Sequence, residues 1–135
     1  MSSFEFGSRR STVYSTKAIV SSTKPQATAA GIKILEQGGN CVDAAVAVGA
    51  VLCVLEPAST GIGGDCFALF YEKKSKKVHG LNGSGRDAAL ATAELIRESL
   101  GDPNAKRIPW DNIFSVTIPG AIADWVDVIE KRGSG

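Results

Sequence analysis

The segment NGSGRDAA, residues 82–89, contains the side chain best suited to binding a small ligand, that of Arg86. A guanidinium group offers a planar fork of donors that matches a carboxylate. The glycines at positions 83 and 85 would let a ligand approach the backbone closely. The alternative is structural, since Arg86 can equally pair with Asp87 or cap a nearby helix. The residues alone leave both roles open.

A second glycine-rich segment, TGIGGDC at residues 60–66, raises the question of phosphate binding. Phosphate loops of the dinucleotide and Walker types follow a strand and open a helix, whose amide groups and dipole face the phosphate. Here the order is reversed, because the segment follows a helical pattern and precedes a strand. Its spacing also differs from GxGxxG and from GxxxxGK[ST]. A tight loop between closely packed elements is the simpler interpretation, with a phosphate-binding module as the weaker alternative.

The spacing of the histidine and cysteine residues does not favour a catalytic role for them. His79 has no Asp or Cys partner at a recognisable spacing, which favours a surface or rim position over a catalytic base. Cys66 follows Asp65 but has no neighbouring histidine, so burial is favoured over a nucleophilic role. With Cys41 and Cys53 it forms no CxxC pair, which predicts reduced, mostly buried thiols. No metal site and no cofactor are predicted.

The composition predicts a globular chain and weighs against two classes of partner. Hydrophobic residues make up 44% of the 135 residues, which is enough to build a core. The formal charge of +1 gives no bulk attraction to nucleic acid or to an anionic membrane. The longest apolar run, residues 42–55, is shorter than the roughly 20 residues that a membrane-spanning helix needs. The N-terminus lacks the features of a secretory signal, so we expect a cytoplasmic protein.

Apolar periodicity, caps and turns predict helices and strands in mixed order. Asn40 is a suitable N-cap for an apolar helix, with Asp43 near the positive end of the helix dipole. Because that helix is apolar on all sides, we expect it to be the most buried of two or three helices on a short β-layer. The predicted helices begin near Pro25 and otherwise span Val42–Leu55, Ala88–Leu100 and Ala121–Lys131. The predicted strands are Lys17–Ser22, Cys66–Glu72, Lys76–Asn82 and Ser115–Ile118.

Four segments together resemble the start of the gamma-glutamyltransferase family, and most closely its intracellular acylase-like branch. They are IVSSTKPQATAAGIKILEQGGNCVDAAVAV, LEPASTGIGGDCFALFY, NGSGRDAA and SVTIPGAIADW, in the family's order and spacing. The resemblance implies an α+β fold, namely part of the αββα sandwich of N-terminal-nucleophile hydrolases. Residues 17–135 would form the N-terminal portion of a large subunit, an incomplete domain, and residues 1–16 an N-terminal extension.

The resemblance also implies an activity, namely the transfer or hydrolysis of gamma-glutamyl or related amide-linked acyl groups. In this family one precursor cuts itself into two subunits, and the nucleophile is the N-terminal threonine of the small subunit. This chain has no such threonine-rich motif, so no catalytic residue is expected in it and the chain alone is expected to be inactive. Its expected partners are the substrate, the remainder of the large subunit and the small subunit.

Arg86 stands where the family's arginine contacts the α-carboxylate of the gamma-glutamyl group, so the resemblance favours substrate binding by Arg86. The chain departs from the common family pattern in two places: many members have a glycine where Asp65 stands, and a glutamate or an Ala-Pro where Asp87-Ala88-Ala89 stands. Glutathione is therefore not assigned as the substrate. The non-enzymatic alternative is a short protein that keeps part of the fold.

Overall fold

The computed structural model describes residues 11–135, so the first ten residues of the expected N-terminal extension lie outside the described part. Within residues 11–135 the chain forms four α-helices and one two-stranded sheet. The helices are α1 (Pro25–Glu36), α2 (Cys41–Leu55), α3 (Ala93–Leu100) and α4 (Ala121–Arg132). The strands are β1 (Cys66–Glu72) and β2 (Lys77–Gly83), and Ile113–Ser115 forms a 3₁₀ turn.

Helices α1 and α2 form a closely packed pair at the start of the described chain. A Cβ atom on Gly31 of α1 would lie 2.7 Å from Val48 Cγ2 of α2, so only glycine fits this crossing without a shift. The turn between the helices passes through Gly38, whose φ of 95° suits glycine. Asn40 then caps α2 by accepting hydrogen bonds from Val42 N and Asp43 N, as predicted.

Helix α2 is less buried than its all-round apolar pattern predicts. Of its residues, Val42 and Ala44 are buried, whereas Val54 near its end is 77% exposed. An apolar helix is buried only where other elements cover it, and among the described residues its neighbours are α1 and α4. The remaining residues of α2 are half-buried or exposed.

The predicted hairpin is confirmed. Strands β1 and β2 pair antiparallel from Cys66 opposite Gly83 to Glu72 opposite Lys77. The polar turn between them contains Lys76 with a φ of 55°, a left-handed conformation at the exposed tip. The outer face of β1 carries Phe67, Leu69 and Tyr71, all exposed.

Helix α4 packs against both strands of the hairpin and against α2. The indole ring of its Trp125 lies over Gly49 of α2. The N-terminus of α4 has no side-chain cap; instead Gly64 O accepts hydrogen bonds from Gly120 N at 3.1 Å and Ala121 N at 3.0 Å. The glycine-rich loop before β1 therefore holds the start of α4 in place.

Several predicted elements need correction. Residues Lys17–Ser22 form no strand, because none of the described strands lies beside them to supply ladder hydrogen bonds. The predicted helix Ala88–Leu100 begins only at Ala93, where Thr92 accepts a hydrogen bond from Leu95 N and caps it. Ser115–Ile118 is a strand only in one isolated bridge, between Ile118 and Arg86. Residues 11–135 contain four helices, of which α4 packs on the hairpin.

Candidate functional site

Arg86 lies at the surface, three residues after the end of β2. Its carbonyl accepts a hydrogen bond from Ile118 N at 2.8 Å, which joins two loops into an isolated antiparallel bridge. Its guanidinium makes neither a hydrogen bond nor an ion pair with any residue between 11 and 135. The structural alternative, a pair with Asp87, is thus not formed in the described part of the chain. Substrate binding by Arg86 stays a prediction.

Asp65 fixes the loop that carries Arg86. Its Oδ1 atom accepts a hydrogen bond from Gly85 N at 2.7 Å and another from the Thr117 hydroxyl at 2.9 Å. A Cβ atom on Gly85 would overlap Ile118 O and the Thr117 side chain, so the two loops approach as closely as glycine allows. One carboxylate oxygen therefore joins three loops that are far apart in sequence.

Gly83 and Asp124 form the buried side of this arrangement. A Cβ atom on Gly83 would overlap the Asp124 carboxylate, and one on Gly120 would overlap Gly83 O. The Asp124 side chain is buried, with its residue 9% exposed, and its Oδ2 atom has no hydrogen-bond partner among residues 11–135. Burial raises the pKa of Asp124, and the nearby Asp127 carboxylate adds to that rise. Asp124 is therefore more easily protonated than a solvated aspartate.

We call the set Gly64–Asp65, Gly83–Arg86 and Thr117–Ala121 the arginine-loop junction. The sequence analysis predicted a role for Arg86 and for the glycines beside it. It noted Asp65 only as a departure from the family pattern, and Thr117 only as part of a predicted strand. Asp65 and Thr117 are 52 positions apart, so no local spacing indicates their contact. The available signal was an aspartate where many relatives carry glycine.

The other candidate residues lie elsewhere and do not join Arg86. His79 is half-buried, its Nδ1 is 3.1 Å from Arg132 Nη2, and its Nε2 is 3.7 Å from Glu72 Oε2. Burial raises the pKa of the Cys66 thiol, against a lowering hydrogen bond from Trp125, so the thiolate is disfavoured. All three thiols are free, but the expectation that they are mostly buried is wrong, because Cys41 is exposed and the other two are half-buried.

The described residues offer no cluster of three or more His, Cys, Asp or Glu side chains that could hold a metal ion. None of the helices between residues 11 and 135 combines the length and the apolar character needed to cross a membrane.

Comparison with known proteins decides the family. The family model described as gamma-glutamyltranspeptidase matches residues 27–135. The chain belongs to the gamma-glutamyltranspeptidase family. The match begins within α1, at Ala27, and includes the whole hairpin and the arginine-loop junction.

Two curated relatives in this family are much longer than this chain. The chain is 39% identical over 122 residues to the glutathione hydrolase-like YwrD proenzyme of Bacillus subtilis, a match that covers 90% of this chain and 22% of that protein. It is 33% identical over 118 residues to the glutathione hydrolase proenzyme of Escherichia coli, covering 87% and 20% respectively. The chain thus spans about a fifth of the length of these gamma-glutamyltranspeptidase relatives.

Solved structures confirm the predicted fold class. The cephalosporin acylase from Bacillus halodurans is 40% identical with a TM-score of 0.82, and the likeness covers 98% of this chain and 24% of that one. The gamma-glutamyltranspeptidase of Helicobacter pylori is 28% identical with a TM-score of 0.78, covering 93% and 35%. The described residues form a partial α+β fold of the N-terminal-nucleophile hydrolase type. The likeness to YwrD and to an acylase agrees with the predicted acylase-like branch.

Proposed function

We propose that this chain is the N-terminal part of the large subunit of an enzyme that transfers or hydrolyses gamma-glutamyl or related amide-linked acyl groups. Within it, Arg86 binds a carboxylate of the substrate. The observation that carries this role is the exposed Arg86 guanidinium, which has no partner among residues 11–135 although its backbone is fixed by Ile118. An unpaired guanidinium on a fixed backbone suits bidentate binding of a carboxylate.

The relatives support the reaction class more firmly than a particular substrate. Their names include glutathione hydrolase proenzymes and a cephalosporin acylase, and both names describe the cleavage of an amide-type bond. Glutathione itself carries free carboxylates, which an arginine can bind. We propose the amide-processing class and leave the acyl group open.

The nucleophile and the remaining walls of the site are proposed to come from the rest of the large subunit and from a small subunit. An N-terminal threonine uses its own α-amine as general base, so it must be freed by cleavage of a precursor. The exposed outer face of β1, with Phe67 67%, Leu69 83% and Tyr71 58% exposed, agrees with a sheet that further chain covers. The 135-residue chain alone is then inactive.

The activity of the chain alone tests the first part of this proposal. We expect no hydrolysis of gamma-glutamyl anilides by the purified 135-residue chain at any pH. Mass spectrometry of the native product should in turn find a longer polypeptide that contains this sequence. Sustained turnover by the short chain, after a control for contaminating enzyme, would place the nucleophile within these residues and refute the assignment.

The substitution Arg86→Lys in the complete enzyme tests the second part. Lysine keeps the charge but loses the planar fork, so kcat/KM for a carboxylate-bearing substrate should fall roughly thirtyfold or more, equivalent to about 2 kcal/mol or above. The melting temperature should change little, because the Arg86 side chain makes no contact that holds the described fold together.

Arg107→Lys is the matched control, since Arg107 is also exposed and lies outside the arginine-loop junction. It should leave both quantities unchanged. If Arg86→Lys instead lowers the melting temperature or blocks self-cleavage while KM is unchanged, Arg86 is structural and the anchor role is wrong.

A further inference from the structure

One carboxylate oxygen of Asp65 ties down the backbone on both sides of the Arg86 bridge. Gly85, whose N–H donates to Asp65 Oδ1 at 2.7 Å, directly precedes Arg86. Thr117, whose hydroxyl donates to the same oxygen at 2.9 Å, directly precedes Ile118. Ile118 N in turn donates to Arg86 O at 2.8 Å. The three hydrogen bonds close a ring around the residue that carries the guanidinium.

We propose that Asp65 is a positioning residue, which sets the direction in which the Arg86 side chain leaves the backbone. The inference rests on the proposed function of Arg86. Asp65 holds the Gly85 N–H, one residue before Arg86, and Ile118 N holds the Arg86 carbonyl, so the backbone is fixed on both sides of the Arg86 Cα. The position and orientation of the Arg86 Cα are therefore fixed. The guanidinium samples fewer positions as a result, which favours contact with the substrate carboxylate.

Because these residues are exposed, an effect on substrate positioning can be distinguished from an effect on folding. Asp65 and Arg86 both lie at the surface, where water replaces a lost hydrogen bond and the net loss of stability is modest. A shift of about 1 Å in a group that holds the substrate can lower the rate by as much as about a hundredfold. Removal of the Asp65 acceptor therefore acts on substrate binding more than on folding.

A competing account gives Asp65 an electrostatic role, in which its negative charge acts on Arg86 through space. The two accounts differ in what Asp65→Asn does. Asparagine keeps the Oδ1 acceptor for both Gly85 N and the Thr117 hydroxyl but removes the charge. Asp65→Ala removes both the acceptor and the charge.

In the complete enzyme, Asp65→Ala should raise KM for a carboxylate-bearing substrate about tenfold, with a smaller change in kcat. Asp65→Asn should restore KM to within about twofold of the wild-type value, because the hydrogen bonds remain. Asp111→Asn, at an exposed aspartate outside the arginine-loop junction, is the matched control and should change neither quantity. Equal losses for Asp65→Asn and Asp65→Ala, or no loss for Asp65→Ala, would overturn the proposal.

Amide hydrogen exchange on the complete enzyme measures the tether without any assay of activity. In Asp65→Ala the Gly85 amide should exchange about tenfold faster, which corresponds to about 1.4 kcal/mol. The Glu56 amide, bonded to Leu52 O at 2.8 Å in α2, is the internal reference and should keep its rate. If the Gly85 rate is unchanged, the Asp65 tether is refuted. If that rate rises but Arg86→Lys leaves KM unchanged, the role of Arg86 fails while the backbone tether stands.

Discussion

Two junctions tie distant parts of this chain together, and in each an aspartate accepts backbone hydrogen bonds. The first, which we call the helix-end junction, consists of Asn40, Asp43 and Arg132–Ser134. There Asn40 Nδ2 donates to Arg132 O at 2.7 Å and Ser134 N donates to Asp43 Oδ2 at 3.1 Å, which joins the start of α2 to the end of α4. The second is the arginine-loop junction, where Asp65 accepts from Gly85 N and from the Thr117 hydroxyl.

The junctions differ in what they leave unpaired. At the helix-end junction Asn40 and Asp43 are half-buried, and their polar groups are used to cap two helix ends. At the arginine-loop junction the hydrogen bonds hold an exposed guanidinium that has no partner among the described residues. The same kind of contact therefore stabilises helices in one place and supports a binding group in the other. Substitutions of the hydrogen-bonding side chains Asn40 and Asp65 should separate stability from function.

The largest expected effect on stability comes from Gly83→Ala in the arginine-loop junction. The new Cβ atom would overlap the buried Asp124 carboxylate, and neither β2 nor α4 can shift without losing packing. We expect the free energy of unfolding to fall by about 3 kcal/mol in urea denaturation.

Gly80→Ala is the control on the same strand, because its Cβ atom would meet Leu69 Cδ2 at an ordinary 3.6 Å. It should cost well under about 1 kcal/mol. Similar losses for the two variants would show that β2 tolerates no side chain at either position and that the Asp124 contact is not the cause.

A smaller loss is expected at the helix-end junction from Asn40→Ala. The substitution removes the α2 cap and the hydrogen bond to Arg132 O, so the free energy of unfolding should fall by about 1–2 kcal/mol. Asn40→Asp keeps the capping oxygen but cannot donate to Arg132 O, and should lose about half as much. If Asn40→Asp matches the wild type in urea denaturation, the contact between α2 and α4 contributes nothing.

The smallest expected effects concern how the free energy of unfolding depends on pH. Two aspartates contribute, and their pKa values are shifted in opposite directions. The hydrogen bond from Asn40 N lowers the pKa of Asp43 from its ordinary 3.8, with further hydrogen bonds from Ser134. Its contribution to stability is present above that unfolded value and is lost as pH falls through the folded pKa. Burial raises the pKa of Asp124 above 3.8, so its contribution is present below that value and is lost as pH rises through the folded pKa.

Urea denaturation between about pH 3 and pH 7 checks both signs. Asp43→Asn should remove part of the loss of stability on the acid side. Asp124→Asn should instead flatten the fall of stability as pH rises above about 4. The assignment of a raised pKa to Asp124 fails if the Asp124→Asn profile runs parallel to that of the wild type.

Local signals determined the elements that the sequence predicted correctly. The cap of α2 lies within three residues, from Asn40 to Asp43, and the hairpin follows from two strand patterns around a polar turn. Helix α4 begins at Ala121, where Pro119-Gly120 predicted a start, and ends one residue beyond the predicted Lys131. Each of these signals acts between neighbours in sequence, so it needs no knowledge of the fold.

Other predictions failed because they depended on what covers or pairs with an element. The apolar pattern of α2 indicates that burial of the helix is favourable, but the fraction that is buried depends on how many elements pack against it. The β-branched residues of Lys17–Ser22 favour extended backbone, yet a strand exists only where a partner supplies the ladder hydrogen bonds.

The sequence by itself determined the family, the hairpin, the cap of α2 and the identity of Arg86 as the candidate anchor. Only the tertiary structure decided that Arg86 is unpaired within residues 11–135, that Asp65 holds its loop through Gly85 and Thr117, and that Gly83 packs on a buried Asp124. The physical reason is the range of the interactions. A hydrogen bond or a close packing contact requires atoms within a few ångströms, and for residues 52 positions apart that distance is set by the path of the whole chain.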